Sequence, residues 1–246
     1  MAKKRLDQLL VERGLVETRS KAQAFIMAGN VFSGEQRLDK PGMPCKEDIS
    51  ITLRGQPHPW VSRGGLKLEK GLAEFEIDVT GFIGVDVGAS TGGFTDVLLQ
   101  NGAAKVYAVD VGQGQLDWKL RNDERVVVME KTNARHLTEE QISDAIDIVV
   151  CDASFIGLRT VLPASMERVK DGGYLIALIK PQFEVGKERV GKKGVVREPE
   201  LHQEVCDTIS DWLANLPGWE VLGITKSPIT GPEGNVEFLI CGRKTA

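Results

Sequence analysis

From residue 82 onward the chain alternates short apolar runs with amphipathic ones, and no other feature limits its fold so tightly. Residues 82–87, 105–110, 125–129, 146–151, 173–179, 220–225 and 235–241 read as strands. Residues 91–100, 160–169 and 200–213 between them read as helices. Strands that are continuously apolar are buried on both faces. Joined by helical crossovers, they predict an α/β domain built on a mainly parallel sheet with helices on both sides. Ligands of such sheets bind at the C-terminal ends of the strands, near the point where strand order reverses.

Before residue 60 the pattern differs. Residues 5–14 predict a short helix with Leu6, Leu9, Leu10 and Val11 on one face and Gly14 as its C-terminal stop. Residues 20–29 repeat the plan, with Ser20 as N-cap and Gly29 as stop. Residues 31–34 and 49–53 read as strands. This is a small α+β module with a thin core. Gly55-Gln56-Pro57-His58-Pro59 reads as a linker, stiffened by its two prolines, with Trp60 as either an anchor to the larger domain or an ordinary core residue. The expected domains are therefore 1–59 and 60–246.

Charge separates the same two parts. Residues 1–67 carry 12 Lys+Arg against 7 Asp+Glu, a balance of +5, whereas the whole chain is at −4, which leaves −9 for the remainder. A basic head on an acidic body suits a nucleic-acid-binding segment attached to another unit. No apolar run is long enough to span a bilayer, and the start, Met1-Ala2-Lys3-Lys4-Arg5-Leu6, lacks the apolar stretch of a secretory signal. A cytoplasmic protein without membrane contact or an obligate protein partner is expected. Cys45, Cys151, Cys206 and Cys241 form no Cys-x-x-Cys pair and have no histidine at ligand spacing, so reduced thiols and no metal site are expected.

The loop after the first predicted strand of the large domain is Asp86-Val87-Gly88-Ala89-Ser90-Thr91-Gly92-Gly93-Phe94. Its glycines admit close backbone approach, and the helix it opens offers free N–H groups. It is neither Gly-x-Gly-x-x-Gly nor a Walker loop. Asp110 ends the second strand, where a carboxylate can take both ribose hydroxyls of an adenosine. Thr132-Asn133-Ala134-Arg135 follows the third strand and Cys151-Asp152-Ala153-Ser154-Phe155 the fourth. Four polar strand ends in this order fit S-adenosylmethionine better than a nicotinamide dinucleotide. The candidate cofactor residues are Asp86, Gly88, Ser90, Thr91, Gly92, Gly93, Phe94, Asp110, Asn133, Ala134 and Asp152.

Three further segments carry chemistry: Ser62-Arg63-Gly64-Gly65-Leu66-Lys67-Leu68, Ile179-Lys180-Pro181-Gln182-Phe183-Glu184 and Asn235-Val236-Glu237-Phe238. With Asp152 they supply Lys67, Asp152, Lys180 and Glu237, a set that resembles the catalytic tetrad of the FtsJ-like RNA ribose 2′-O-methyltransferases. The wider pattern, with residues 85–96 and Thr230-Gly231-Pro232-Glu233-Gly234-Asn235, resembles the TlyA family, often labelled haemolysin. The likeness covers nearly the whole chain, residues 5–53 and 62–242. It implies an S4-type RNA-binding domain followed by a Rossmann-like class I methyltransferase domain. It implies S-adenosylmethionine as cofactor and cytidine ribose in ribosomal RNA, free or in a ribosomal subunit, as substrate.

A ribose 2′-hydroxyl is a poor nucleophile at neutral pH, and a free lysine, with pKa about 10.4, is a poor base; burial or a second ammonium favours the neutral amine. The resemblance assigns proton handling to Lys180 and electrostatic help and ribose orientation to Lys67, with Asp152 and Glu237 fixing the lysines. The basic, glycine-punctuated stretch 185–197 is expected to close on substrate. Arg5, Arg19, Lys21, Arg37, Arg63, Lys187, Arg189, Lys192 and Lys193 are candidate RNA contacts, mainly to phosphates. The chain stops soon after its last predicted strand, and within the resemblance this short form is expected to act on the large-subunit RNA. Two other readings stand beside the enzyme: a non-catalytic RNA-binding assembly factor, and a haemolysin.

Overall fold

The computed structural model describes residues 3–16, 18–27, 29–53 and 58–245, with the backbone alone at Lys187. Contacts divide the chain into two compact units, Met1–Pro57 and His58–Ala246. Gly55, Gln56 and Pro57 of the expected linker lie outside the described residues.

The small unit runs β1 (Lys3–Arg5), α1 (Leu6–Glu12), α2 (Arg19–Met27), β2 (Val31–Ser33), β3 (Gln36–Arg37), β4 (Pro44–Lys46) and β5 (Thr52–Leu53). β1 pairs with β4, and β3-β2-β5 form a second small sheet, all antiparallel. Leu6, Leu9 and Leu10 from α1 meet Ala22 and Ile26 from α2, with Val31, Leu38 and Cys45 completing the core. Gly14 and Gly29 follow the two helices at φ +65° and +76°, the left-handed stop that only glycine adopts without strain. Ser20 is not the N-cap of α2. Thr18 takes that place, its Oγ1 accepting from the Lys21 N–H at 3.2 Å, because the helix begins at Arg19.

The large unit runs α3 (Gly65–Glu74), β6 (Ile83–Val87), α4 (Gly93–Gln100), β7 (Lys105–Val109), α5 (Trp118–Arg121), β8 (Val126–Met129), β9 (Ile146–Cys151), α6 (Leu158–Val161), α7 (Pro163–Met166), β10 (Val169–Ile179), α8 (Pro181–Glu184), α9 (Pro199–Ala214), β11 (Trp219–Lys226) and β12 (Phe238–Lys244). Its seven strands lie in the order β11-β12-β10-β9-β6-β7-β8. All run parallel except β12, which is antiparallel to both neighbours. β7 lies on one side of β6 and β9 on the other, so the switch in strand order falls at the C-terminal ends of β6 and β9. β9 is buried along its whole length, and separate apolar clusters cover the two faces of the sheet.

Several boundaries differ from the sequence reading. The helix expected over 91–100 begins at Gly93, since Gly92 sits at φ +94° where its neighbours Leu116 and Leu120 leave no room for a Cβ. The single helix expected over 160–169 is two, α6 and α7. Pro163, which has no N–H for the preceding turn, restarts the helix. β10 begins at Val169 and carries an irregularity before Tyr174. β12 begins only at Phe238, so Asn235 and Glu237 lie in the irregular segment before the strand. α3 was not foreseen. Its Leu68 and Leu72 are buried, and Lys67, just before Leu68, is buried too and lines the cleft.

Candidate active site

The strand ends at the switch point open on a cleft with two lobes. The first, about 560 Å³, is lined by residues that include Arg63, Lys67, Asp86, Phe94, Asp152, Lys180, Lys193 and Glu237. The second, about 360 Å³, is lined by Asp110, Thr132, Asn133, Ala134 and Val161 among others. Gly88, Ser90, Asp152, Ser154 and Phe155 belong to both, so the lobes are continuous.

Local chain geometry builds the floor. After β6 the backbone turns through Gly88 (φ +81°) and Ser90 (φ +49°). A Cβ at Gly88 would stand 2.8 Å from the Ala153 Cα, so glycine there lets the two strand-end loops touch. Asp86 is fully buried. Its Oδ2 accepts from the Thr95 N–H at 2.9 Å and Oγ1 at 2.7 Å, whereas its Oδ1 has no partner. Burial, aided by the nearby Asp152 and Asp110 carboxylates, outweighs the Thr95 bonds and pushes the Asp86 carboxyl up to about 7. Asp110 accepts from the Ser90 N–H at 2.8 Å and the Gly112 N–H at 2.7 Å, which tie the loops after β6 and β7 together. Asn133 caps the turn Ala134–His136 by accepting from the Arg135 N–H.

The four tetrad residues meet in the first lobe. Lys67 Nζ lies 3.1 Å from Asp152 Oδ2 and 2.8 Å from Glu237 Oε2. Lys180 Nζ lies 2.6 Å from Asp152 Oδ1, 3.1 Å from the Asp152 carbonyl and 2.8 Å from Ser154 Oγ. Asp152 thus stands between the two lysines, and Glu237 closes the far side. Lys67, Lys180 and Glu237 are all buried. Two cations and two anions in so dry a place hold each other, because breaking either pair would strand a charge away from water. Lys180 occupies the N-cap position of α8, which Pro181 opens, so the strand end and the proline-started helix together aim its side chain.

The cofactor candidates Asp86, Gly88, Ser90, Thr91, Gly93, Phe94, Asp110, Asn133, Ala134 and Asp152 all line one lobe or the other. Gly92 lines neither and serves the packing beneath. Of the RNA candidates, Arg63 and Lys193 line the first lobe. Lys193 holds a left-handed backbone (φ +64°). Asn235, almost fully buried, fixes that segment by donating to the Gly194 carbonyl at 2.9 Å and accepting from the Val196 N–H at 3.0 Å. Arg189 is instead paired with Glu204, and Lys192 is exposed. In the small unit Arg5 and Arg19 both bond the wholly buried Asp7 carboxylate, with their side chains half exposed. The Arg37 guanidinium lies against Gly29, where a Cβ would stand 2.2 Å from it. Lys21 is exposed at the first turn of α2, and the side chain of Lys187 lies outside the described residues.

Sequence reasoning assigned no role to Ser154, Phe155, Glu184 or Thr95. Glu184 Oε1 accepts from the Leu158 N–H at 2.7 Å and closes the loop after β9; burial raises its carboxyl above the ordinary range. Phe155, at φ +66°, is 91% exposed and leans on Phe183 with ring centroids 5.3 Å apart. None of these contacts has a local sequence signature, since the partners lie 9 to 28 residues apart. Among the described residues no cluster could hold a metal ion, and no helix is long and apolar enough to cross a membrane.

Known proteins fit this geometry. The family model described as FtsJ-like methyltransferase matches residues 60–244, and that of the S4 domain matches residues 4–48. Bacillus subtilis YqxC, whose name assigns it provisionally to the rRNA methyltransferases, is 53% identical over 97% of this chain and 85% of its own. The 16S/23S rRNA (cytidine-2′-O)-methyltransferase TlyA of Mycobacterium tuberculosis is 46% identical over 96% of this chain and 88% of its own. A solved structure from Streptococcus thermophilus, provisionally called a hemolysin, superimposes with a TM-score of 0.78 at 46% identity, covering 100% of this chain and 90% of that one. With its seven-stranded sheet, its tetrad and these relatives, the chain belongs to the FtsJ-like methyltransferases and carries an S4 domain at its N-terminus.

Proposed function

We propose that the protein methylates the 2′-hydroxyl of a ribose, that of a cytidine, in ribosomal RNA, using S-adenosylmethionine and working in the cytoplasm. The observation that carries this reading is the chain of ion pairs Glu237–Lys67–Asp152–Lys180, each at 3.1 Å or less, in the first lobe, with Asp152 shared by the second.

The site suits the cofactor. The second lobe offers Asp110 for ribose hydroxyls, and Asn133 and Ala134 for a purine. The first lobe offers the unpartnered Asp86 Oδ1 beside the Gly88 turn, an acceptor suited to the ammonium end of an amino acid. S-adenosylmethionine supplies a methyl group on a positively charged sulfur. Lys67, held by two carboxylates, is a fixed donor that can orient the ribose. Lys180 takes charge of the hydroxyl proton, and Asp152 keeps both lysines in place. Phe155, exposed beside the junction, offers a face on which a base lifted out of its stack can rest. Arg63 and Lys193 at the first lobe suit the flanking phosphates. The S4 domain would engage structured RNA through its arginines, largely by shape.

The test is a map of 2′-O-methyl sites in rRNA incubated with the cofactor and either the wild-type protein or Lys180→Ala. One or more new sites that depend on Lys180 are expected. No wild-type-dependent site in either subunit, with RNA binding intact, would instead make the protein a non-catalytic assembly factor. Membrane lysis by purified Lys180→Ala would favour the haemolysin reading.

A further inference from the structure

We propose that Ser154 relays the proton from the ribose hydroxyl to Lys180; this rests on the methyltransferase reading above. The two lysines of the tetrad are held differently. Lys67 faces two carboxylates, which can only accept hydrogen bonds. Lys180 faces a carboxylate oxygen, a carbonyl oxygen and the Ser154 hydroxyl, at 2.6, 3.1 and 2.8 Å. The carbonyl and the hydroxyl stand at hydrogen-bonding geometry, and the Asp152 Oδ1 contact is an ion pair.

The consequence appears when Lys180 is neutral. A tetrahedral amine keeps two N–H bonds and gains one lone pair. The Asp152 carboxylate and carbonyl cannot face a lone pair, because neither has a hydrogen to offer. Only Ser154 can both accept from the ammonium and donate to the amine. The lone pair therefore points at Ser154, whose O–H turns toward Nζ and frees its oxygen to accept a hydrogen bond from the cleft.

Exposure supports the same order. Lys180 lines the first lobe but is only 6% exposed, whereas Ser154 is exposed and lines both lobes, where cofactor and ribose would meet. The hydroxyl is the outward end of the Lys180 hydrogen-bond chain. In the step, the ribose O2′–H bond breaks and its proton passes to Ser154 Oγ, while the Ser154 proton passes to Lys180 Nζ. The O2′–methyl bond forms as the sulfur–methyl bond breaks, and the bonding pair leaves with the sulfur. Ser154 ends as a hydroxyl and Lys180 as an ammonium, so charge and atoms balance.

The experiment is single-turnover methyl transfer to an rRNA that the wild type modifies, with enzyme in excess, at several H2O/D2O ratios. Two protons in flight bow the wild-type rate against deuterium fraction. Ser154→Ala should slow transfer at least tenfold, on the order of 100-fold, with cofactor affinity within twofold of wild type. Ser154→Thr, which keeps the hydroxyl, should retain most of the rate. A linear plot for the wild type, or less than a tenfold loss in Ser154→Ala, overturns the relay. A serine that merely braces Lys180 would slow the alanine variant yet leave the wild-type plot linear. If Ser154→Ala fails to bind cofactor, the wild-type plot and Ser154→Thr decide alone. A wild type that transfers no methyl to any rRNA refutes the parent reading instead.

Discussion

Replacing Asp86 by asparagine should change how stability depends on pH, by an amount the site itself sets. Asp86 is wholly buried, one oxygen bonded twice by Thr95 and the other unpartnered. Burial is the largest influence, and the folded protein holds the Asp86 proton up to about pH 7, against 3.8 for a free side chain. A carboxyl with a raised pKa stabilises the fold fully below the lower value. That contribution drains away as pH climbs through the higher one and stays lost above it. The displacement corresponds to about 4 kcal/mol in total at roughly 1.4 kcal/mol per pH unit, of which about 2 to 3 kcal/mol falls between pH 5 and pH 8. Asp86→Asn keeps an acceptor for Thr95 and does not titrate. Urea unfolding of both proteins without cofactor, at pH 5 and pH 8, measures the two stability gaps. The gap should move in favour of the variant by about 2 to 3 kcal/mol on going to pH 8. A gap that stays constant within about 0.5 kcal/mol would refute the reasoning, because Asp86 would then titrate alike in the folded and unfolded chains.

The same geometry sets further outcomes. Lys180→Ala should cut methyl transfer by roughly 10² to 10⁴-fold while titration calorimetry still detects cofactor binding. Lys67→Met strands the buried Glu237 and should cost about 3 to 5 kcal/mol in thermal or urea unfolding; adding Glu237→Gln should return most of the stability and none of the activity. Gly88→Ala forces a Cβ to 2.8 Å from the Ala153 backbone at φ +81°, so cofactor affinity should fall, with fold content by circular dichroism kept. Phe155→Ala removes an exposed ring and should leave the melting temperature unchanged while weakening RNA binding by about 1 to 3 kcal/mol in a filter or fluorescence assay.

The range of the forces involved decides which parts of the fold are legible in the sequence and which are hidden. The β6 and β9 strands are legible because burial on both faces leaves a mostly apolar run, each broken by a single aspartate, a signal contained within six residues. α3 was not, because its start, Gly64-Gly65, resembles a loop. The reason for Gly65 lies in Trp60, whose side chain would stand 2.5 Å from a Cβ there, and that of Gly93 in Ser62, at 2.4 Å. Glycines that look like punctuation are places where segments press together. Trp60 packs against Gly65 within the large unit, and the Val61 N–H donates to the buried Asp96 at 2.8 Å beside it.

Charge shows the same division. Counting arginines made the first residues look free for phosphate, yet Arg5 and Arg19 share Asp7, so each offers RNA only the part of its guanidinium that this carboxylate leaves exposed. The tetrad was legible as a set of residue types, through likeness, and its charges were expected to pull against one another. Their arrangement was not legible, since Lys67 and Asp152 are 85 positions apart. Asp152 gives one oxygen to each lysine, and only Lys67 has a second carboxylate, Glu237. Lys67 therefore stands between two carboxylates, while Lys180 has a carbonyl and a hydroxyl in place of a second one. Of the two, Lys180 is the one beside a hydroxyl, which can donate a hydrogen bond as well as accept one. That asymmetry supports the proposed division of roles, and it rests on Ser154, a residue to which the sequence alone gave no role.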